Sequence, residues 1–249
     1  AFYSGLSSKI FESTYKIVGD LPGGLAIATV AACTAFGAIC GSTTATAATM
    51  SSVAFPEMNK YNYKKSFSTA TIASAAIIGV MVPPSVIFIL YGVSTGESIS
   101  ALFMAGVVPG FLLMTVFMLT AWLVAVKNPE IAPAGPSVPL KEKFKALFSA
   151  GMEVIVIFLA VMGGLFAGWF TPTEAGGVGV FATLLVTIFR KSLTWDGFKK
   201  SLSASVNLSA MILFLVASAF VYSKFLAVTG LPTAMANMAA SAPLPPVMV

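Results

Sequence analysis

Residues 21–55 read LPGGLAIATVAACTAFGAICGSTTATAATMSSVAF and contain no charged side chain. A helix that crosses a bilayer needs about 20 residues, so these 35 residues are too many for one crossing and too few for two. The middle of the stretch, Cys40–Thr46, is polar and contains a glycine, which favours a break in the helix. Lysines flank both ends, and an excess of Lys and Arg marks cytoplasmic loops. The sequence therefore predicts a re-entrant helical hairpin with its tip at Gly41–Thr44.

The composition indicates an all-α polytopic membrane protein. Of the 249 residues, 57% are hydrophobic and 9% are charged, whereas soluble domains have about 25% charged residues. The mean hydropathy is +0.93. These values exclude an ordinary cytosolic enzyme, a disordered chain and a secreted disulfide scaffold. The net charge of +5 comes from loop lysines, so membrane topology explains it better than binding of nucleic acid.

Charged residues divide the rest of the chain into segments. Residues 1–20 mix charges with periodic apolar side chains, which is typical of an amphipathic helix at the membrane interface. Residues 66–126 are predicted to form a broken transmembrane helix and a following span. Residues 127–145 carry four lysines and four prolines, which predicts a cytoplasmic connector.

Residues 146–249 are predicted to hold scaffold helices, a second interfacial helix at Trp195–Lys200, and the start of a second repeat. The apolar spans of this part are expected at about 146–170, 175–189 and 201–223. Thr171–Glu174 has the sequence of a helix capping box, which is a structural motif. The chain lacks an initial methionine and ends within an apolar run, so we expect a truncated piece of a longer protein.

A second interruption lies at Gly79–Ser85, which reads GVMVPPS. Each proline removes an N–H group and disfavours helix at the residue before it, so nearby carbonyl groups lose their partners. Two interrupted helices in neighbouring spans are the sequence sign of a binding site in a secondary transporter. The alternative for each is a packing kink, in which hydroxyl groups bond to neighbouring backbone. Both segments offer only neutral oxygens, and this favours sodium over a proton relay, which needs titratable groups.

The first interruption, at Cys40–Thr46, joins two helix ends that carry opposite partial charges. A helix that ends at Cys40 exposes carbonyl groups, which suit a small cation. A helix that starts near Thr43 with Ser42 as its cap exposes N–H groups, which suit an anion. Ser42 as the nucleophile of an intramembrane hydrolase is disfavoured, because the chain has no histidine and the hairpin offers no other base.

The order of several motifs resembles the large membrane subunit of tripartite ATP-independent periplasmic (TRAP) transporters, the M subunit or DctM family. The motifs that carry the resemblance are Leu21–Ala26, Gly41–Ala47, Phe55–Met58, Gly79–Pro84 with Tyr91 and Gly92, and Gly168–Ala175. The resemblance covers nearly the whole chain. It implies an elevator-type transporter of the ion-transporter superfamily, with inverted repeats of which this chain holds only part. In such a transporter, residues 1–20 and 191–205 would be arm helices.

The resemblance also implies function, partners and site residues. It implies a sodium-coupled permease of the bacterial inner membrane that imports organic acids such as C4-dicarboxylates, sialic acid or other sugar acids, with no cofactor besides the coupling ion. Its partners would be a small Q-type membrane subunit (DctQ) and a P-type periplasmic substrate-binding protein (DctP). The sodium site would involve Cys40, Gly41, Ser42, Gly79, Val82 and Pro84. The substrate-binding residues would be Ser42, Thr43, Thr44, Thr46, Pro83 and Ser85.

Other functions remain open from the sequence. A non-transporting membrane scaffold would keep the spans but would not need paired helix breaks. An anion symporter of the same superfamily would work without a binding protein. A channel would not accumulate its solute against a gradient.

Overall fold

The chain is described here from a computed structural model, which covers residues 6–135, 138–146 and 152–241. All regular structure within these residues is helical, and the predicted all-α class is confirmed to that extent. The helices are α1 (Leu6–Val18), α2 (Gly24–Cys40), α3 (Thr43–Lys60), α4 (Lys65–Met81), α5 (Val86–Thr95), α6 (Ile99–Lys127), α7 (Leu140–Ala146), α8 (Met152–Phe158), α9 (Gly164–Phe166), α10 (Pro172–Phe189), α11 (Trp195–Thr229) and α12 (Leu231–Ser241).

Several of these helices suit a membrane. Among the described residues, α6, α10 and α11 are each long and apolar enough to cross a bilayer, and α4 with α5 forms a fourth candidate bent by 44°. Helix α1 confirms the predicted helix in 1–20, although residues 1–5 lie outside the described residues. Its apolar side chains Ile10 and Phe11 are buried in the protein core, whereas Lys9 is exposed. The location of α1 at the membrane interface stays a prediction.

The predicted break in the first uncharged stretch is confirmed at the expected residues. Helix α2 ends at Cys40 because Gly41 takes the left-handed conformation, with φ of 58°, which favours glycine. Ser42 then caps α3, and its hydroxyl oxygen accepts a hydrogen bond from the amide N of Ala45 at 3.3 Å. The chain thus breaks over two residues and resumes at Thr43.

Helices α2 and α3 run antiparallel and form a helical hairpin. At its open end, the amide N of Leu25 donates to the hydroxyl of Tyr63 at 3.3 Å. At its tip, the Sγ of Cys40 lies 3.4 Å from the Oγ1 of Thr46. The second arm is longer than predicted, because α3 continues beyond the uncharged stretch to residue 60.

The predicted broken helix is also confirmed, with α4 and α5 separated by residues 82–85. Pro83 and Pro84, which are joined by a cis peptide bond, have no N–H group. The carbonyl groups of Gly79 and Val80 therefore lack the helical donors four residues further on. Ser85 is the cap residue of α5.

Two glycines of α6 pack directly against this second break. A β-carbon added at Gly106 would lie 2.8 Å from the carbonyl oxygen of Met81, and one added at Gly110 would lie 2.9 Å from the Cγ2 of Val82. Small residues four positions apart let membrane helices approach closely. Helix α6 therefore supports the break directly with its backbone.

The connector 127–145 lies across the open end of the hairpin. The carbonyl oxygen of Ile131 accepts a hydrogen bond from the amide N of Lys64 at 2.9 Å, after the second arm. The carbonyl oxygen of Ala132 accepts one from the amide N of Gly23 at 3.2 Å, before the first arm. One short segment thus ties both ends of the hairpin, while residues 136–137 lie outside the described residues and the cytoplasmic location stays a prediction.

The C-terminal helices follow the predicted spans with one difference. Helices α8 and α9, joined by a π-helical turn at Leu159–Gly163, lie within the predicted span 146–170, of which residues 147–151 lie outside the described residues. Helix α10 begins with the predicted capping box, in which the amide N of Thr171 donates to Oε2 of Glu174 at 2.7 Å. Helix α11 is continuous, so no boundary separates the expected second arm helix at 191–205 from the span after it.

The chain divides into two compact units, Ala1–Gly197 and Phe198–Val249. The first unit contains the hairpin and a second apolar core, in which Phe103 of α6 packs with Met162 and Leu165. This packing explains why the first unit extends beyond the connector. The second unit contains most of α11 and all of α12, and residues 242–249 lie outside the described residues.

Asp20 and Lys143 form an ion pair that joins the loop before α2 to α7. Lys143 Nζ donates to Asp20 Oδ2 at 2.6 Å, and this bond holds the pKa of the Asp20 carboxyl below its ordinary value of 3.8. Because the side chains are 20% and 30% exposed, we expect Lys143→Met to lower the free energy of unfolding by only about 0.5–1 kcal/mol at neutral pH. The measurement is reversible unfolding in detergent micelles as a function of pH.

The lowered pKa of Asp20 determines how the stability difference between the original protein and Lys143→Met changes with pH. A depressed carboxyl pKa contributes stability that is present above the unfolded value and is lost as the pH falls through the folded value. The difference between the original protein and Lys143→Met should therefore disappear in acid. Lys16→Met, which removes an exposed pair with Glu12 within α1, serves as the control with a smaller effect. A difference that persists unchanged in acid would contradict the role of Asp20.

Candidate functional site

The two helix breaks touch each other at the hairpin tip. A β-carbon added at Gly41 would lie 2.4 Å from the carbonyl oxygen of Pro84 and 3.4 Å from the Cα of Ser85. The carbonyl oxygen of Gly41 accepts a long hydrogen bond from the amide N of Val86 at 3.5 Å. The structure thus brings together residues that the sequence assigns to one site from two separate segments.

Below the tip, α2 and α4 cross with backbone against backbone. A β-carbon added at Gly37 would lie 2.2 Å from the Cα of Gly79, and one added at Gly79 would lie 3.2 Å from the Cα of Gly37. Any side chain at this crossing would separate the helices. Gly37 is not among the predicted site residues, although its spacing of four residues from Gly41 is the small-residue pattern of close membrane-helix packing.

Thr46 lies inside this junction. Its side chain is 0% exposed, and its hydroxyl donates to the carbonyl oxygen of Ser42 at 2.8 Å. A β-carbon at Gly79 would lie 2.9 Å from the same hydroxyl oxygen. The family resemblance implies that Thr46 binds substrate, but here its hydroxyl faces the protein interior, because the close approach of α4 covers it.

The other predicted substrate-binding residues fall into two groups. Ser42 and Thr43 are half-buried and Thr44 is exposed, and the Ser42 and Thr44 hydroxyl oxygens are 3.1 Å apart. Pro83 and Ser85 are buried, since both lie where the second break packs on its neighbours. Only the first group is open to a ligand in this arrangement, and substrate binding by any of these residues stays a prediction.

The predicted sodium ligands are neutral oxygens. The carbonyl oxygen of Ser42 already accepts two hydrogen bonds from Thr46, from its amide N at 3.0 Å and from its hydroxyl at 2.8 Å, so only the hydroxyl of Ser42 could bind a cation. Within the described part of the chain, no donor contacts the carbonyl oxygens of Val82 or Pro84. Carbonyl oxygens of this kind fit a small hard cation, although their binding of sodium stays a prediction.

Four helix ends meet at this place. The carbonyl-bearing ends of α2 and α4 lie beside the amide-bearing starts of α3 and α5, and Ser42 and Ser85 cap the two starts. Helix C-terminal ends attract cations and N-terminal ends attract anions. The arrangement therefore combines features that suit a cation and an anion within one junction that has no ionisable carboxylate or imidazole.

Comparison with known proteins identifies relatives along the whole chain. The family model of the tripartite ATP-independent periplasmic transporter, DctM component, matches residues 2–249. The C4-dicarboxylate TRAP transporter large permease protein DctM of Pseudomonas aeruginosa is 32% identical over 245 residues, which are 98% of this chain and 57% of that protein.

Two further relatives carry different substrate names. The sialic acid TRAP transporter large permease protein SiaM of Vibrio cholerae is 32% identical over 94% of this chain and 54% of that protein. The isethionate TRAP transporter permease protein DctMQ of Oleidesulfovibrio alaskensis is 35% identical over 94% of this chain and 36% of that protein. The chain spans about half the length of the curated relatives it matches, or less.

Gly41→Ala and Gly96→Ala together distinguish two contributions to the free energy of unfolding: the contact at the hairpin tip and the strain of a left-handed backbone. Both glycines end a helix with positive φ, 58° and 77°, but a β-carbon at Gly96 would have no atom within 4 Å. We expect Gly96→Ala to cost about 1 kcal/mol for the left-handed backbone. Gly41→Ala should cost roughly 2 kcal/mol more, since the Pro84 carbonyl must move, as for overpacking in a core. Equal losses in the free energy of unfolding would show that the tip does not contact the second break.

Proposed function

We propose that this chain, which belongs to the DctM family of tripartite ATP-independent periplasmic transporters, carries a binding site of a sodium-coupled organic-acid permease. The observation that carries the proposal is the contact between the hairpin tip and the second helix break. A scaffold has no need for two interrupted helices that meet, because each interruption leaves backbone groups without helical partners.

The hairpin is proposed to be re-entrant. Helix α2 has 17 residues, and at 1.5 Å per residue it is about 25 Å long. The hydrocarbon core of a bilayer is about 30 Å thick, so the tip would lie within the membrane and the chain would return to the side from which it entered. The break itself would then be shielded by α4 and α6, as irregular backbone at membrane depth requires.

Sodium is proposed as the coupling ion, bound near the ends of α2 and α4. The oxygens available there are carbonyl and hydroxyl groups, with Val82 and Pro84 as the best placed carbonyl donors. The substrate is proposed to be an organic anion. The relatives are named for C4-dicarboxylates, sialic acid and isethionate, which all carry a carboxylate or sulfonate group, and the starts of α3 and α5 suit such a group.

The surrounding machinery is also a proposal. The hairpin and the broken helix would belong to the moving part of an elevator, with α1 and residues 191–205 as arms of the scaffold. The inner membrane of a bacterium would be its location. A small Q-type membrane subunit and a P-type periplasmic binding protein would be its partners, and the name DctMQ of one relative supports the first of them.

Uptake by proteoliposomes tests the proposal. The vesicles contain the permease with its small membrane subunit, and labelled dicarboxylates and sugar acids are added with and without the binding protein. We expect accumulation that requires both an inward sodium gradient and the binding protein. Accumulation driven by a proton gradient alone would contradict sodium coupling, and equilibration without accumulation would indicate a channel.

A matched pair of serine variants tests the site. Ser42 and Ser98 each cap a helix, α3 and α6, and their hydroxyl oxygens accept a bond from the amide N three residues further on at 3.3 Å and 3.4 Å. Replacement by leucine removes a cap in both, at a similar cost of about 1 kcal/mol. Ser42→Leu should reduce uptake at least about tenfold, because the leucine side chain fills the half-buried tip. A bulky group there would displace the ligand from its binding position, and small displacements at a site cause large losses of rate. Ser98→Leu should leave uptake nearly unchanged, and an equal effect of both variants would reject the site at the tip.

A further inference from the structure

The hydroxyl of Thr46 lies between the first helix break and α4. A threonine within a helix commonly donates to the carbonyl group four residues earlier, and Thr34 of α2 does so to Val30 at 2.9 Å. Thr46 makes the same kind of bond to the carbonyl oxygen of Ser42, four residues earlier, at 2.8 Å, but Ser42 is the cap residue in the break and not a residue within the helix. The same hydroxyl lies against the backbone of α4 at Gly79.

This contact fixes the geometry of the first break. With both lone pairs of the Ser42 carbonyl oxygen occupied by Thr46, the peptide that follows Ser42 has a fixed orientation. The preceding carbonyl group, that of Gly41, is the one that faces the second break, 3.5 Å from the amide N of Val86. The Thr46 side chain contacts both segments, because its hydroxyl bonds to Ser42 in the first break and lies against Gly79 in the last turn of the helix before the second break.

We propose that Thr46 is a positioning residue that sets the affinity for the coupling cation without contacting the substrate. The inference rests on the proposed function of the chain. Its physical basis is that a cation site built from carbonyl oxygens of two separate breaks depends on how accurately the two breaks are held. Removal of the hydroxyl would loosen that register and leave the exposed hydroxyl groups at the tip in place.

Thr46→Val tests the inference, with Thr34→Val as the matched control. Valine keeps the shape of threonine and removes only the hydroxyl, and both threonines are buried in the first unit. The readouts are the sodium concentration that gives half-maximal thermal stabilisation of the purified permease, and the sodium and substrate dependence of uptake in proteoliposomes. Thr46→Ser, which retains the hydroxyl, serves as the rescue variant.

We expect Thr46→Val to raise the half-maximal sodium concentration about five- to tenfold, as the loss of one buried hydrogen bond does. The KM for substrate at saturating sodium should change less than about twofold. Thr46→Ser and Thr34→Val should keep the original sodium dependence. If Thr46→Val does not fold, Thr46→Ala provides a second variant without the hydroxyl, and it must show the same loss.

Two results would overturn the inference while the proposed function stands. One is an unchanged sodium dependence in the hydroxyl-free variants. The other is a raised substrate KM with unchanged sodium dependence, which would make Thr46 a substrate contact. A permease without any sodium response before mutation would reject the proposed sodium coupling, and the positioning role would fall with it.

Discussion

The structure depends on the contact between two helix backbones at Gly37 and Gly79. No side chain separates the helices there, and a β-carbon at Gly37 would overlap the Cα of Gly79. Because α2 and α4 are held this closely, the helix breaks that follow Gly37 and Gly79 come to the same place. Gly41 and Pro84 then meet, and Thr46 of α3 packs against α4 at Gly79.

A bilayer makes such an arrangement necessary. Each helix break exposes amide and carbonyl groups that hydrocarbon cannot solvate, at a cost of several kcal/mol for each unsatisfied group. The chain reduces this cost by placing the breaks against each other and against the glycines of α6. The same carbonyl groups that are costly in lipid are the groups that could bind a cation, so packing and proposed function use one set of atoms.

The sequence predicts the local features of this fold well. The hairpin tip follows from the chemistry of Gly41 and Ser42, which end one helix and cap the next, and the second break follows from two prolines. Both depend on residues adjacent in the chain. The capping box before α10 is predicted for the same reason.

Features that depend on distant residues are not visible from the sequence. The crossing of Gly37 with Gly79 requires knowledge of which helices pack together, and the burial of Thr46 follows from that crossing. The expected boundary between an arm helix and a span near residue 200 has no counterpart in the structure, because α11 contains no proline and no glycine after its first turn that would end it.

A double-mutant cycle between Gly37→Ala and Gly79→Ala tests the backbone contact most directly. The measured quantity is the free energy of unfolding in detergent micelles of both single variants and the double variant. If the glycines touch, the first alanine already separates the helices, and the second then costs less, so the effects should deviate from additivity by at least about 1 kcal/mol. Gly176→Ala, where a β-carbon would meet no atom within 4 Å, should combine additively with Gly37→Ala. Additivity of Gly37→Ala and Gly79→Ala within about 0.5 kcal/mol would contradict the contact on which the site is built.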